Sequence, residues 1–235
     1  MARSCNCYFF EAGKRAGIDD IARMADLFGL GRKSGIDLPG EQGGLMPTPA
    51  WRRARGGGRW GTAHTLNVSI GQGEIQATPL QAARLMAGVA TGRMPVPRLR
   101  LDAPATFEEL PLKPETLRAL RNGLETVCME TYGTGHAAQL HLFKAAGKTS
   151  TAQSSSRALG LEHHGWFAGY APFDNPRYAF CVMIEHGGAG SGLSAQTAAR
   201  LLHAFFPEVP WTDPLEPAGP AVAPPDAAEA GEDAE

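Results

Sequence analysis

The sequence predicts an α+β fold in which helices flank an antiparallel β-sheet. Two short apolar runs, at residues 165–170 and 178–184, are dense in the aromatic and β-branched residues typical of strands. Segments on either side of these runs have apolar residues at helical spacing. At 235 residues, 43% of them hydrophobic, the chain can bury one large core or two small ones.

Several segments have the sequence marks of helices. In Thr78-Pro79-Leu80-Gln81, Thr is a cap, Pro occupies the first helical position and Gln completes a capping box. This helix is predicted to end at Gly92, because glycine favours the left-handed conformation that terminates helices. Apolar spacing predicts further helices: two short ones within residues 1–29, one over residues 114–131 and one near residues 194–206.

Two other segments are predicted to lack regular structure. Residues 30–66 are rich in Gly, Pro and Arg and have no apolar period, which predicts a long ordered loop of a kind that is often functional. Residues 207–235 contain eight acidic and no basic residues among many Pro and Ala. Because this tail has too little apolar surface to offset the entropy of ordering, it is predicted to be disordered. The folded domain is therefore assigned to residues 1–206.

The net charge of −2 conceals an asymmetry, because the acidic tail leaves 22 basic against 16 acidic residues in the rest of the chain. A mildly basic surface suits an anionic polymer, although an ordinary solvated surface explains it equally well. The stretch 51–60 combines Arg with Trp, residue types that bind nucleic-acid backbone and bases. It is one short patch in a chain that is otherwise not basic, so no nucleic-acid partner is predicted.

A candidate ligand-binding strand lies at Lys148-Thr149-Ser150-Thr151. In an extended chain Thr149 and Thr151 share one face, and Lys148 and Ser150 share the other. Hydroxyl donors beside an ammonium suit a carboxylate ligand, because charge-assisted hydrogen bonds are short and strong. The alternative is an ordinary edge strand with solvated Thr and Lys side chains.

The same stretch resembles the Lys-Thr/Ser-Gly-Thr box of penicillin-binding proteins and serine β-lactamases. Ser4-Cys5-Asn6 resembles the Ser-x-Asn box of that family. Further stretches resemble signatures of class B penicillin-binding proteins, most closely the elongation-type branch, penicillin-binding protein 2: residues 34–41, 69–73, 77–81, 165–172 and 184–188. The resemblance covers about residues 1–206 and implies the penicillin-binding protein/serine β-lactamase-like transpeptidase fold.

The resemblance also implies a role for each matching residue. Ser4 would relay protons between the general base and the leaving amine, and Asn6 would hold the substrate backbone. Lys148 would assist proton movement and attract the terminal carboxylate of the substrate. Thr149 and Thr151 would bind that carboxylate, and the backbone N–H of Thr151 would be one oxyanion donor.

The chain departs from the family pattern in two ways. Ser150 stands where the family has Gly, and its side chain is expected to crowd the nucleophile and alter acylation without loss of the fold. The Ser-x-x-Lys turn that supplies nucleophile and base is absent, since none of the five lysines has a serine three residues before it. In family order that turn precedes the Ser-x-Asn box. We therefore expect a C-terminal part of a transpeptidase domain that lacks its N-terminal portion. Without the nucleophile, this part is expected to be inactive on its own.

The function implied for the longer protein is that of a peptidoglycan D,D-transpeptidase. Its ligands would be stem peptides ending in D-Ala-D-Ala and the β-lactams that mimic them. Its partners would be membrane proteins of the elongation machinery, at the extracytoplasmic face of the inner membrane. Two alternatives remain: a non-catalytic module that binds β-lactams or wall peptides, and a division-type transpeptidase.

No metal or other cofactor is predicted. The histidines at positions 136, 163 and 164 have no carboxylate or cysteine at ligand spacing. Cys5, Cys7, Cys128 and Cys181 fit no zinc pattern and are predicted to be small buried hydrophobic residues. The sequence contains neither a signal segment nor an apolar run long enough for a membrane anchor.

Overall fold

The computed structural model describes residues 1–153 and 160–213. Its helices are α1 (Asn6–Leu27), α2 (Pro49–Ala54), α3 (Thr62–Ser69), α4 (Pro79–Thr91), α5 (Pro114–Met129) and α6 (Ala195–Phe205). Its strands are β1 (Arg93–Pro95), β2 (Phe107–Glu109), β3 (Ala146–Ala152), β4 (His164–Ala171) and β5 (Tyr178–Ile184). Among the described residues no helix combines the length and hydrophobicity needed to cross a membrane.

Strands β3, β4 and β5 form an antiparallel sheet with β4 in the centre. Lys148 pairs with Ala168, and Thr151 pairs with Gly165, which in turn pairs with Ile184 on β5. The strand that carries the lysine box therefore lies beside the strongly apolar β4. The predicted antiparallel sheet is confirmed.

Alternation along the sheet creates two apolar faces, each covered by helices. Phe167 and Phe180 belong to a core that includes Leu202 of α6. Tyr170, whose side chain is fully buried, belongs to the opposite core, which includes Met86 of α4. The helices thus flank the sheet on both faces, as the α+β prediction requires.

The predicted start and end of α4 are confirmed. The Thr78 hydroxyl accepts a hydrogen bond from the Gln81 backbone N–H at 3.2 Å, and the Gln81 carboxamide oxygen accepts one from the Thr78 N–H at 2.9 Å. Pro79 is the first helical residue, and Gly92 ends the helix with φ of 81°. The capping box therefore fixes where this helix begins.

The prediction of an irregular loop over residues 30–66 is wrong in part, because this segment contains α2 and the first turn of α3. The cap of α2 repeats the Thr-Pro signal of α4: the Thr48 hydroxyl accepts from the Trp51 N–H at 3.1 Å, and Pro49 is the first helical residue. The two short helices predicted before residue 30 correspond to α1, which is divided at Gly17 (φ 79°, ψ 162°). Two glycines in the left-handed region, Gly29 and Gly31, follow it.

The chain continues to pack beyond α6. Val209 and Trp211 lie against the core that contains Leu202, and Arg200 forms an ion pair with Asp213. Residues 214–235, most of the acidic tail, lie outside the described residues. The disorder predicted for that tail stays a prediction.

The buried side-chain amide of Gln81 binds the long segment before α4 to the start of that helix. The Gln81 side chain is 1% exposed. Its carboxamide nitrogen donates to the carbonyl of Arg32 at 2.8 Å and to that of Gly43 at 2.7 Å. The same amide is therefore both the cap of α4 and the anchor of the segment that precedes it.

Replacing Gln81 by Leu should destabilise the fold by about 2–4 kcal/mol, because it leaves buried carbonyls and the Thr78 N–H without partners. The free energy of unfolding in urea measures this. Gln42→Leu is the matched control at an exposed position, and it should change the free energy by less than about 0.5 kcal/mol. Equal stability of the two variants would contradict the anchoring role.

Candidate active site

A groove of about 550 Å³ lies where β3 meets the start of α1 and the end of α3. All six residues that the sequence analysis assigned to the site line it: Ser4, Asn6, Lys148, Thr149, Ser150 and Thr151. They come from two segments far apart in the chain. The structure thus brings the predicted set together, and the roles of its members remain predictions.

A direct hydrogen bond joins the two segments. The Lys148 ammonium donates to the Ser4 hydroxyl and to the Thr149 carbonyl, the latter at 2.6 Å. Ser4 has φ of 50°, in the left-handed region, and its N–H donates to the Met1 carbonyl at 3.0 Å. This turn immediately precedes α1 and places the Ser4 side chain against β3.

The electrostatic character of the groove is set by Lys148. Burial lowers the pKa of its ammonium below the ordinary value. Over residues 1–153 and 160–213 no carboxylate forms an ion pair with it. A partly desolvated cation that has only neutral acceptors attracts an anionic ligand.

The two threonines have different surroundings. Thr149 is 5% exposed, and its hydroxyl lies 2.6 Å from the Thr134 hydroxyl. Thr151 is half-buried, its hydroxyl accepts from the Gly190 N–H at 3.3 Å, and its carbonyl accepts from the Gln72 side chain at 2.9 Å. The groove therefore contains two threonine hydroxyl groups, and a hydrogen bond fixes the position of each.

Sequence reasoning did not assign Thr134, Gln72 or Gly190 to the site. Gln72 lies in the 69–73 stretch that resembles a family signature, so that signature could have identified it. Thr134 and Gly190 had no such signal, because their contacts depend on how distant loops pack against β3.

Gly190 packs unusually closely against the sheet. A Cβ atom there would lie 2.0 Å from the Ser150 carbonyl oxygen and 2.4 Å from the Trp166 carbonyl oxygen. Only glycine allows the 190–194 turn to approach both strands at this distance. Ser150 itself is exposed, and its effect on acylation stays a prediction.

Four of the seven histidines form two ring pairs, His136 with His141 and His164 with His186. His136 and His141 stack with centroids 4.4 Å apart, and the His164 ring accepts from the His186 N–H at 3.1 Å. His163 lines the groove. Within the part of the chain that the structure describes, no group of three or more His, Cys, Asp or Glu could hold a metal ion.

The cysteines divide into two pairs. Cys128 is buried and Cys181 partly so, and burial raises the pKa of each thiol to about 12. Cys5 and Cys7 are exposed beside the groove, so the prediction of buried cysteines is wrong for these two. They lie at the N-terminus of α1, where residues 5–8 are all exposed.

The comparisons with known proteins assign the family. The family model described as the penicillin-binding protein transpeptidase domain matches residues 1–203. The chain belongs to this family. The match confirms the transpeptidase fold predicted from the motifs.

Relatives of the elongation type are among the similar proteins. The chain is 35% identical over 218 residues to the peptidoglycan D,D-transpeptidase MrdA of Acinetobacter baumannii, covering 83% of this chain and 32% of that protein. It is similar to penicillin-binding protein 2 of Helicobacter pylori, solved in complex with MreC, with a TM-score of 0.81 and 29% identity over 88% of this chain and 39% of that one. It is also similar to penicillin-binding protein 2 of Pseudomonas aeruginosa in complex with WCK 5153, with a TM-score of 0.78 and 31% identity over 87% and 46% of the two chains. The chain thus spans about a third of the length of the curated relatives it matches.

The lowered pKa of Lys148 predicts a pH dependence of stability. Between its pKa in the folded chain and the ordinary value of 10.5, the unfolded state binds more protons, so the free energy of unfolding rises with pH across that window. Lys148→Met should flatten this rise, as measured by urea unfolding at a series of pH values. Lys144→Met, at an exposed position, is the control and should preserve it. Parallel curves for the two variants would refute the prediction.

Gly190→Ala should destabilise the chain by about 3 kcal/mol, because the added Cβ would contact backbone carbonyls on both β3 and β4 that cannot move independently. Urea unfolding measures the loss. Gly61→Ala is the matched control, since its Cβ would lie 3.7 Å from the nearest atom, and a change below about 1 kcal/mol is expected. A similar small change at both positions would show that the turn relaxes away from the sheet.

Proposed function

We propose that this chain supplies two walls of the active site of a peptidoglycan D,D-transpeptidase of the elongation type. The observation that carries the proposal is the hydrogen bond between Lys148 and Ser4 inside a groove lined by hydroxyl groups. In the longer protein a serine nucleophile would attack the carbonyl between the two D-Ala residues of a stem peptide. The terminal D-Ala would leave, and an amine of a neighbouring strand would take the acyl group.

The substrate carboxylate would bind beside Lys148 and Thr151. The ammonium offers charge, and the Thr151 hydroxyl, which lines the same groove, offers a donor, a combination that gives strong hydrogen bonds to carboxylates. The Thr149 hydroxyl shares a hydrogen bond with Thr134, which fixes its direction. The Thr151 backbone N–H would serve as an oxyanion donor, worth about 3 kcal/mol of barrier in comparable sites.

Ser4 would move a proton to the leaving amine. Because the Lys148 ammonium donates to the Ser4 oxygen, the hydroxyl proton of Ser4 is free to point elsewhere. Ser4 can then donate this proton to the departing nitrogen and receive another proton from the general base. Asn6, exposed at the start of α1, would hold the backbone of the stem peptide.

The names of the relatives support a biological setting for the longer protein. We assign to the longer protein stem peptides ending in D-Ala-D-Ala, β-lactams, and a role in cell shape at the extracytoplasmic face of the inner membrane. The Helicobacter pylori relative was solved with MreC, which supports partners from the elongation machinery. No cofactor is needed, because the proposed chemistry consists of positioning, proton transfer and oxyanion stabilisation.

A non-catalytic binding module is the second candidate. It is favoured by one observation, the absence of Ser-x-x-Lys from the printed sequence. Such a module would use the same groove to hold a wall peptide or a β-lactam without acylation. Intact mass after incubation with a penicillin tests the chain directly: no covalent adduct is expected from these 235 residues, and an adduct would make Ser4 the first candidate nucleophile.

Binding of D-Ala-D-Ala to the 235-residue chain tests the proposed groove. Weak, saturable shifts of β3 amide signals are expected in NMR titrations, and the C-terminal amide of the dipeptide should bind at least about fivefold more weakly because it lacks the carboxylate. Lys148→Met should weaken binding of the acid by a similar factor, whereas Lys144→Met should not. Equal binding of acid and amide would refute the carboxylate site.

A further inference from the structure

A second groove, of about 700 Å³, lies outside the candidate active site. It is lined by Pro49, Arg53, Gly56, Gly58, Arg59 and Trp60, and is called the arginine groove below. Its residues belong to α2 and to the segment between α2 and α3. The catalytic proposal makes no use of it.

The charge of the arginine groove is not neutralised. Residues 51–60 contain four arginines and no acidic residue. Arg52 pairs with Glu74 at 3.0 Å, whereas Arg53 and Arg59 form no ion pair with any described residue. Two exposed guanidinium groups at one groove, without an ion pair among the described residues, suit carboxylate or phosphate ligands.

The groove also contains a fixed aromatic ring. Trp60 is half-buried, its indole N–H donates to the Thr65 hydroxyl at 2.9 Å, and its ring lies 5.1 Å from that of His64. A ring held in this way presents apolar area at little cost in conformational entropy. Guanidinium groups beside such a ring suit a ligand that combines an anionic group with an apolar or sugar-like face.

The position of the groove relates it to the active site. Trp60 lies just before α3, whereas Ser69, Ile70 and Gln72, at the other end of α3, line the active-site groove. An eight-residue helix is about 12 Å long. The two grooves therefore lie near opposite ends of α3, about one short helix length apart along the axis of that helix.

We propose that the arginine groove is a second subsite for the cell-wall strand, which binds its carboxylates at Arg53 and Arg59 and packs a sugar or aliphatic face on Trp60. The inference rests on the proposed function, because that function makes the ligand a polymer of sugars and carboxylate-bearing peptides. Charge complementarity and the position of the two grooves near opposite ends of α3 both favour this occupant. The groove would thus bind a part of the wall remote from the reacting D-Ala-D-Ala.

The test uses the 235-residue chain and muropeptides, the disaccharide–tetrapeptides that lysozyme releases from peptidoglycan. Muropeptide binding should shift the NMR signal of the Trp60 indole N–H. The double substitution Arg53→Gln and Arg59→Gln should weaken this binding about tenfold or more, since charge-assisted bonds are lost. Arg98→Gln, an exposed arginine in another segment, is the matched control and should leave the affinity unchanged. Muropeptides with amidated carboxylates should resemble the double variant.

D-Ala-D-Ala binding in the same samples separates this proposal from the proposed function. Normal dipeptide binding with muropeptide affinity insensitive to both arginines would overturn the second subsite alone. Arginine-dependent muropeptide binding without dipeptide binding would overturn the proposed function and leave a wall-binding groove. Tighter arginine-dependent binding of single-stranded DNA or of anionic phospholipid vesicles than of muropeptides would overturn the wall strand as occupant.

Discussion

The hydrogen bond from the Lys148 ammonium to the Ser4 hydroxyl joins positions 144 residues apart, and the candidate site exists because of it. Desolvating an ammonium is costly, and the cost is reduced only where good acceptors surround it. Here the acceptors are the Ser4 hydroxyl and the Thr149 carbonyl, one from each wall of the groove. The lysine therefore holds the walls together while keeping its charge available to a ligand.

Strand β3 is suited to this role because its two sides have different neighbours. One side pairs with β4 in a full antiparallel ladder. Beyond that ladder, partners come from distant segments: the Gln72 side chain donates to the Thr151 carbonyl, and the 190–194 turn packs over both β3 and β4. Backbone groups at a sheet edge need such partners, and here these partners also shape the groove.

Much of the fold follows from local signals. The capping box at Thr78 sets the start of α4, because side-chain oxygens that satisfy the first amides act within four residues. The apolar runs of β4 and β5 specify strands by composition alone. The missed helix α2 has the same Thr-Pro signal at its start as α4. It was not predicted because the surrounding glycines and arginines leave no apolar residues at helical spacing. The exposed Cys5 and Cys7 show the limit of composition, since a residue type does not fix whether its position in the chain is covered by the core.

By itself the sequence determined the family, the order of its motifs, the sheet and its flanking helices, and six of the residues that line the groove. These features depend on short stretches of sequence, and the residue types within each stretch are enough to predict them. Only the tertiary structure decided that the Thr134 hydroxyl would pair with Thr149 and that Gln72 would bind the Thr151 carbonyl. It alone brought Arg53 and Arg59 to one groove, where neither forms an ion pair with a residue that the structure describes. Contacts of this kind join distant segments, often through backbone atoms that every residue shares, so no local pattern encodes them.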